Sequence, residues 1–474
     1  MDRTSTNNPQ QQPPEDENTV QITDHDRKVA AWGGAVGTAL EQYDFIIYGT
    51  AAASVFNHIF FPNVSPAVGY LASFSTFAVG FLARPLGGIF FSKYGEKLGR
   101  KWVLVATLYL MGFATFAMGL IPSYDQIGLF APLLLVICRF MQGFGAGAEM
   151  AGATVLLTET ALPNKRGKMA SLVWVGASVG TALGALAWIL VQLLPEPDFY
   201  AWGWRLVFFS SIFVTFVAWL IRRGLKESPV FVEKKRHAKQ EKAIPLREVF
   251  RDGKRTIFRV FLMNVGANGH SYIYQAFIGS FLVSVVKVNA SFIPKTLLVG
   301  ATIAAFTSVL IGRASDIYGR KKIMYFIHTT LFFATIPMFM LLETGNTLYI
   351  MLVIIFGFIF AAEGTVSAQA AYFPELFGSK YRYAGVTLGR EMSAVFGGGI
   401  GPMVCSALLT AFSNSWLPVA IYMMFIMSLS LIGIYISPET RGRSLYTPEN
   451  AIDEKNALNA IEQGSSSTLK AEKS

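Results

Sequence analysis

Long apolar runs alternate with short polar segments along almost the whole chain. A helix needs about 20 apolar residues to cross the hydrocarbon core of a bilayer, and twelve runs of that kind stand out: 29–57, 67–91, 102–121, 129–157, 169–194, 204–221, 256–286, 294–312, 322–342, 346–372, 384–412 and 415–437. Their length predicts membrane-spanning helices. Residues 1–28 are polar and lack the basic start, short apolar core and cleavage site of a signal peptide, so the first run is expected to stay as a helix. Residues 438–474 are again mostly polar and end near Gly464-Ser465-Ser466-Ser467; both tails are expected to be disordered. The longest internal polar stretch, 222–255, divides six runs from six. It reads as a solvated basic linker lying on an anionic membrane surface. The expected fold is therefore an all-α membrane protein of twelve transmembrane helices in two six-helix bundles, 29–221 and 256–437.

Composition strengthens this picture. Hydrophobic residues make up 53% of the chain and charged residues 15%, with mean hydropathy +0.43, whereas soluble domains carry about a quarter charged residues. A net charge of +10 would point to nucleic acid in a soluble protein, but here location decides its meaning. Lys and Arg gather in alternate loops, at Lys93, Lys97, Arg100 and Lys101, at Lys165, Arg166 and Lys168, throughout 222–255, at Arg313, Arg320, Lys321 and Lys322, and at Lys380 and Arg382. Loops 61–67, 121–128 and 195–202 carry none. The positive-inside rule makes the basic loops cytoplasmic, and an even span count puts both termini there too. The expected setting is the cell membrane, with the bilayer as partner and no nucleic acid. Cys138 and Cys405 fall inside spans, where a thiol packs as a small apolar group. No disulfide, metal or cofactor is expected.

One short pattern occurs twice. The segment from Ser92 to Lys101, with Glu96 four positions before Arg100-Lys101, is echoed from Gly312 to Lys321, with Asp316 four positions before Arg320-Lys321. Glu159, Arg166 and Leu172 match Glu375, Arg382 and Leu388 at one common offset, and Gly37 and Tyr43 align loosely with Gly266 and Tyr272. Two related halves in a membrane protein point to a transporter.

With its doubled acid-x3-Arg-Lys loop, the chain resembles the major facilitator superfamily over about residues 29–440. Closer still, Gly37–Phe45, Arg84-Pro85-Leu86-Gly87-Gly88, Gln142–Gly147, Trp202-Gly203-Trp204-Arg205 and Phe373-Pro374-Glu375-Leu376-Phe377 look like its metabolite:proton symporter family, which includes carriers for shikimate, 2-oxoglutarate, citrate and proline/betaine. The pattern departs at Gln42, where Trp is common, at Ser92, where Gly is usual, and at Glu96, where Asp is usual. The resemblance implies proton-coupled uptake of a small metabolite by a monomer that rocks between outward- and inward-open states.

Charges inside spans cost about 2.5–3.5 kcal/mol each at the bilayer centre, so each needs a partner or a water-filled cavity. They are Glu41, Asp44, Arg84, Arg139, Glu149, Glu363, Arg390 and Glu391. Glu41 and Asp44 share a helix face. Two carboxylates so close in a low-dielectric setting resist being ionised together, and loading and releasing a proton is what symport requires. The resemblance favours Asp44 because Tyr43-Asp44-Phe45 matches the family pattern. The alternative makes both acids permanent ion-pair partners of Arg84 or Arg139. Those two arginines offer a planar fork suited to a substrate carboxylate, with Gln142 one turn from Arg139; the alternative is a fixed pair with Glu41, Asp44 or Glu149.

Span seven carries Asn264, Asn268, His270 and Tyr272, which with Tyr43 and Trp174 suit a cavity wall for hydroxyls or a ring. His270 reads as a proton relay or, more commonly for a lone histidine, as one satisfied by a neighbouring hydroxyl or carbonyl. The glycines of spans four, five and eleven read as close helix contacts rather than a phosphate loop. In the doubled loops, Glu96 and Asp316 are expected to pair with Arg100 and Arg320 and with a helix N-terminus across the bundles, forming a cytoplasmic gate.

The reading is thus an organic-acid:proton symporter, the buried arginines favouring a shikimate- or 2-oxoglutarate-like substrate. A proline/betaine-type osmolyte carrier is the main rival, although 447–474 shows no sustained heptads. A drug antiporter is disfavoured because Gly176–Gly180 lacks Pro. A receptor or enzyme is disfavoured because no sizeable polar domain or nucleophile–base pair is present.

Overall fold

A computed structural model describes residues 23–98, 100–147, 149–223, 246–379, 381–445, 447 and 449–454. Six helices form the first half: α1 (Asp24–Ser54), α2 (Pro66–Leu98), α3 (Arg100–Leu120), α4 (Phe130–Thr160), α5 (Arg166–Val191) and α6 (Glu196–Leu220). The second half opens with α7, which runs from Leu246–Tyr272 through a π-helical turn, Ile273–Phe277, into Ile278–Ser284. Then come α8 (Phe292–Tyr318), α9 (Arg320–Glu343), α10 (Thr347–Leu376), α11 (Arg382–Ala411) and α12 (Leu417–Ile436). Among the described residues nine helices meet a strict standard of length and apolarity for crossing a membrane. The other three are α1, α3 and α7. Glu41, Gln42 and Asp44 lower the hydropathy of α1, and Asn264, Asn268 and His270 do the same for α7, while α3 offers only the shorter apolar stretch Val105–Leu120.

Packing repeats between the halves. In the first, α1 lies on α5, α2 on α4 and α3 on α6; in the second, α7 lies on α11, α8 on α10 and α9 on α12. The halves meet where α2 touches α11 and α5 touches α8, two contacts exchanged by the same two-fold relation. Close approach needs small residues: a Cβ on Gly143 of α4 would strike the Gly80 carbonyl of α2, and one on Gly176 of α5 would strike the Ala35 carbonyl of α1. Large apolar side chains such as Phe113, Phe213, Phe306 and Tyr435 point outward, as a lipid-facing surface requires.

Three boundaries differ from the hydropathy pattern. Helix α1 begins at Asp24 and α7 at Leu246, because charged amphipathic turns extend both helices beyond their apolar parts. Part of the expected loose C-terminal tail is ordered: Tyr372 donates to the Pro438 carbonyl at 2.6 Å, Arg443 donates to the Glu375 carbonyl at 2.6 Å and to Glu454 at 2.8 Å, and Ala451 and Ile452 are buried. The Arg443 hydrogen bonds hold the Glu454 carboxyl below its ordinary range. Residues 1–22, 224–245 and 455–474, and with them most of the expected tails and linker, lie outside the described residues.

Candidate functional site

A narrow cavity lies between the halves; its open volume is about 20 Å³, room for about one water molecule in this state. The first half contributes Gln42, Arg84, Met150, Trp174 and Ala177. The second contributes Asn268, Ser271, Tyr272 and Gln275 from α7, Ala362, Glu363 and Val366 from α10, and Arg390, Glu391 and Ala394 from α11. The π-helical turns of α7, α10 and α11 all reach this wall: Gln275 and Ala362 lie within two of them, Ala394 opens the third, and Glu363 follows the second. Such turns widen a helix and re-aim its side chains, which is why they recur at functional sites.

Two arginines in the cavity have opposite circumstances. Arg84 is ion-paired twice, lying 2.7 Å from Glu41 on α1 and 2.6 Å from Glu391 on α11, so that it bridges the bundles. Arg390 has no carboxylate partner among the described residues. Its Nη2 approaches the Met150 sulfur at 3.7 Å, its guanidinium lies 5.0 Å from the centre of the Trp174 ring, and its Nε and Nη1 have no hydrogen-bond partner. A buried guanidinium with free donors is a ready receptor for a carboxylate.

Of the expected site residues, the structure brings Arg84, Asn268, Tyr272 and Trp174 to the cavity wall. It sets others elsewhere. Arg139 is fully buried in a box of Phe45, Tyr48 and Phe77, with ring centres 4.3, 4.2 and 4.8 Å away. It donates to Gln142, Gln142 donates to Thr115 at 2.7 Å, and Thr115 donates to Asp44 at 2.8 Å. This polar chain runs inside the first bundle and contributes nothing to the cavity lining. The Tyr43 hydroxyl meets Ser210 of α6 at 2.5 Å. Asn264 donates to Ser393 at 2.7 Å, and His270 Nδ1 lies 3.1 Å from the Gly266 carbonyl. Each faces a packed neighbour instead.

Sequence reasoning missed Ser271 and Gln275, which extend the Asn268 face of α7 at helical spacing, and it left Arg390, Glu363 and Glu391 among the buried charges without a role. Helical period would have found the first two. Gln42 donates to Gln275 at 2.6 Å across the bundles, and Gln275 also borders a second, smaller hollow that includes Thr50, Ser54 and Gln192.

On the basic-loop face the second-half motif forms a latch. Asp316 accepts the backbone N–H groups of Gly167 and Lys168 at 2.8 and 2.9 Å, in the first turn of α5, where the helix dipole favours an anion. Arg320 donates to Asp316 at 2.7 Å and to Glu375 at 3.0 and 3.1 Å. Arg382 of α11 donates to Glu159 of α4 at 2.9 Å, and Arg166 donates to the Arg443 carbonyl at 2.6 Å. The side chains of Glu96 and Arg100, the first-half counterparts, lie outside the described residues. Asp316→Ala removes one anchor between the halves, so cysteines introduced into the cavity wall should label several-fold faster from the basic face. Unchanged labelling from both faces would leave the latch without a gating role.

Residues 35–402 match the sequence profile of the Major Facilitator Superfamily. The chain belongs to that superfamily. Among relatives of this superfamily member, the shikimate transporter of Escherichia coli (strain K12) is 36% identical over 414 residues, covering 86% of this chain and 93% of that protein. A glycine betaine/proline/ectoine/pipecolic acid transporter of Dickeya dadantii (strain 3937) is 31% identical over 442 residues, covering 90% and 86%. A solved proton:xylose symporter bound to 6-bromo-6-deoxy-D-glucose shares the fold at TM-score 0.70 and 15% identity, over 89% of this chain and 98% of that one. As a member of this superfamily the chain is a multi-pass secondary transporter and not an enzyme.

Proposed function

We propose that the chain is a proton-coupled symporter of a small organic acid, shikimate- or 2-oxoglutarate-like, working as a monomer by alternating access in the cell membrane. Its basic-loop face and both termini are cytoplasmic, by the positive-inside rule. The observation that carries the substrate class is the free guanidinium edge of Arg390 in the central cavity. Asn268, Ser271, Tyr272 and Gln275 line the same wall and offer hydrogen bonds to hydroxyls or a second carboxylate, and the similarity to a shikimate transporter supports the class.

Asp44 is the proton site of this reading, its carboxyl held by Thr115 at the end of the Arg139–Gln142–Thr115 chain, with Glu41 as the second acid held by Arg84. Arg139, Gln142, Tyr43, Asn264 and His270 support the walls from behind. Transport requires parting the Asp316 latch and the Arg382–Glu159 pair, then rocking the halves about the α2–α11 and α5–α8 contacts. A proline/betaine-type carrier is the second reading, favoured by the Trp174 ring in the cavity wall, which suits a quaternary ammonium, and by the Dickeya relative.

Reconstituted in proteoliposomes, the protein should accumulate labelled shikimate or 2-oxoglutarate in preference to glycine betaine. An imposed inward proton gradient should raise that accumulation, and Asp44→Asn should remove the response. Preference for glycine betaine would decide for the osmolyte reading, and accumulation indifferent to the gradient would end proton coupling.

A further inference from the structure

The cavity holds one acid that this mechanism does not use. Glu363 follows the π-helical turn of α10 and is only 2% exposed, and its Oε2 has no hydrogen-bond partner. No cation pairs with it among the described residues; its polar neighbour is Ser178 on α5. The charged and titratable groups on the surrounding helices are otherwise engaged or distant. On α11, Glu391 is taken by Arg84 and Arg390 lies against Trp174. His270 and Tyr272 of α7 and His328 of α9 make no charge contact with Glu363, nor does Glu149 of α4. Lys295 and Arg313 are exposed at the two ends of α8, and the Leu172–Val191 part of α5 carries no charge.

Charge counting then gives Glu363 a role. Arg84 and Arg390 balance Glu41 and Glu391, so these four side chains sum to zero. With the cavity open to water, solvent screens the single negative charge of an ionised Glu363, whereas an incoming carboxylate adds a second and displaces that water. With Glu363 protonated, the occupied cavity carries only the substrate's charge, and the acid becomes a hydrogen-bond donor. We infer that Glu363 is a substrate-linked proton site: it takes up a proton when an organic anion docks on Arg390 and releases it when the anion leaves. Anion and proton affinities then strengthen each other reciprocally. This inference rests on the organic-acid reading above and adds to it a proton site on the cavity wall, where the substrate's field acts directly. Asp44, inside the first bundle, does not line that wall.

The test uses the full-length protein in proteoliposomes with labelled shikimate and 2-oxoglutarate, comparing wild type, Glu363→Gln and Glu363→Asp. Glu363→Gln imitates the protonated acid. It should lose about tenfold more of proton-driven accumulation than of counterflow exchange, and bind the acid with an affinity that no longer weakens as pH rises. Glu363→Asp should restore part of the gradient response. Gradient-driven accumulation by Glu363→Gln equal to wild type, with wild type itself proton-driven, would overturn the role of Glu363 alone. Loss of counterflow in both variants would make the residue structural and overturn it as well. If wild type moves neither acid but moves glycine betaine, the organic-acid reading falls and takes this inference with it.

Discussion

Replacing Arg390 by Ala should reduce transport of an organic acid about 100-fold while leaving the fold intact. Two charge-assisted hydrogen bonds from one guanidinium edge, each worth about 1.5–3 kcal/mol, support a loss of that size. Arg390→Lys keeps the charge but offers a point donor in place of the planar fork, and it gives up the stack on Trp174. About tenfold weaker apparent affinity is expected for Lys. Initial uptake rates in proteoliposomes across a range of substrate concentrations measure both effects.

Stability makes the prediction specific. Among the described residues no carboxylate forms an ion pair with Arg390, so its removal breaks no direct pair and relieves a buried cation of its desolvation cost, which offsets the loss of its field at Glu391 and Glu41. The two effects oppose each other, so the purified Arg390→Ala protein should melt close to wild type and far above Arg84→Ala. Normal uptake by Arg390→Ala would remove the carboxylate site from this cavity, and unfolding of the variant would show Arg390 to be a structural residue.

Much of the architecture was legible because the bilayer imposes it. Runs of about 20 apolar residues marked the spans, and the doubled acid-x3-Arg-Lys loop announced both the internal repeat and, through Asp316, a contact with a helix N-terminus that the structure places on Gly167 and Lys168. What hydropathy missed followed from physics other than apolarity. The first turns of α7 are charged and amphipathic, so no apolar window includes them. The π-helical turns have no period of their own in the sequence, yet they bring Gln275, Ala362 and Ala394 to the cavity.

The site was only half legible for a related reason. Sequence identifies buried charge but not its aim. Arg390 and Glu391 are adjacent, about 100° apart around α11, and only packing against α2 decides that Arg84 takes Glu391 and leaves Arg390 free. For the same reason Arg84 was weighed against Glu41, Asp44 and Glu149, all in its own half, whereas its second partner comes from the other bundle. Arg139 sits at the depth of a binding residue, but Phe45, Tyr48 and Phe77 surround it.

Arg84→Ala should have the largest effect on stability of any single substitution in the cavity. It would leave Glu41 and Glu391 buried, unpaired and mutually repelling, and breaking a buried ion pair from one side costs about 3–5 kcal/mol. A clear drop in the melting temperature of the purified full-length protein is the expected reading. The cost comes from stranded charge rather than from lost packing, so Glu41→Gln and Glu391→Gln added to Arg84→Ala should recover most of it. A packing defect would not be rescued this way. Rescue should also divide by bundle: Glu41 shares the first half with Arg84, whereas Glu391 reaches it from α11 across the interface. The Arg84–Glu391 contact therefore holds only while α2 and α11 stay together, and Glu391→Gln alone should shift the balance between open and closed states more than it shifts melting. If Arg84→Ala melts with wild type, or the paired glutamines fail to restore it, the bridge is not what joins the bundles at this level.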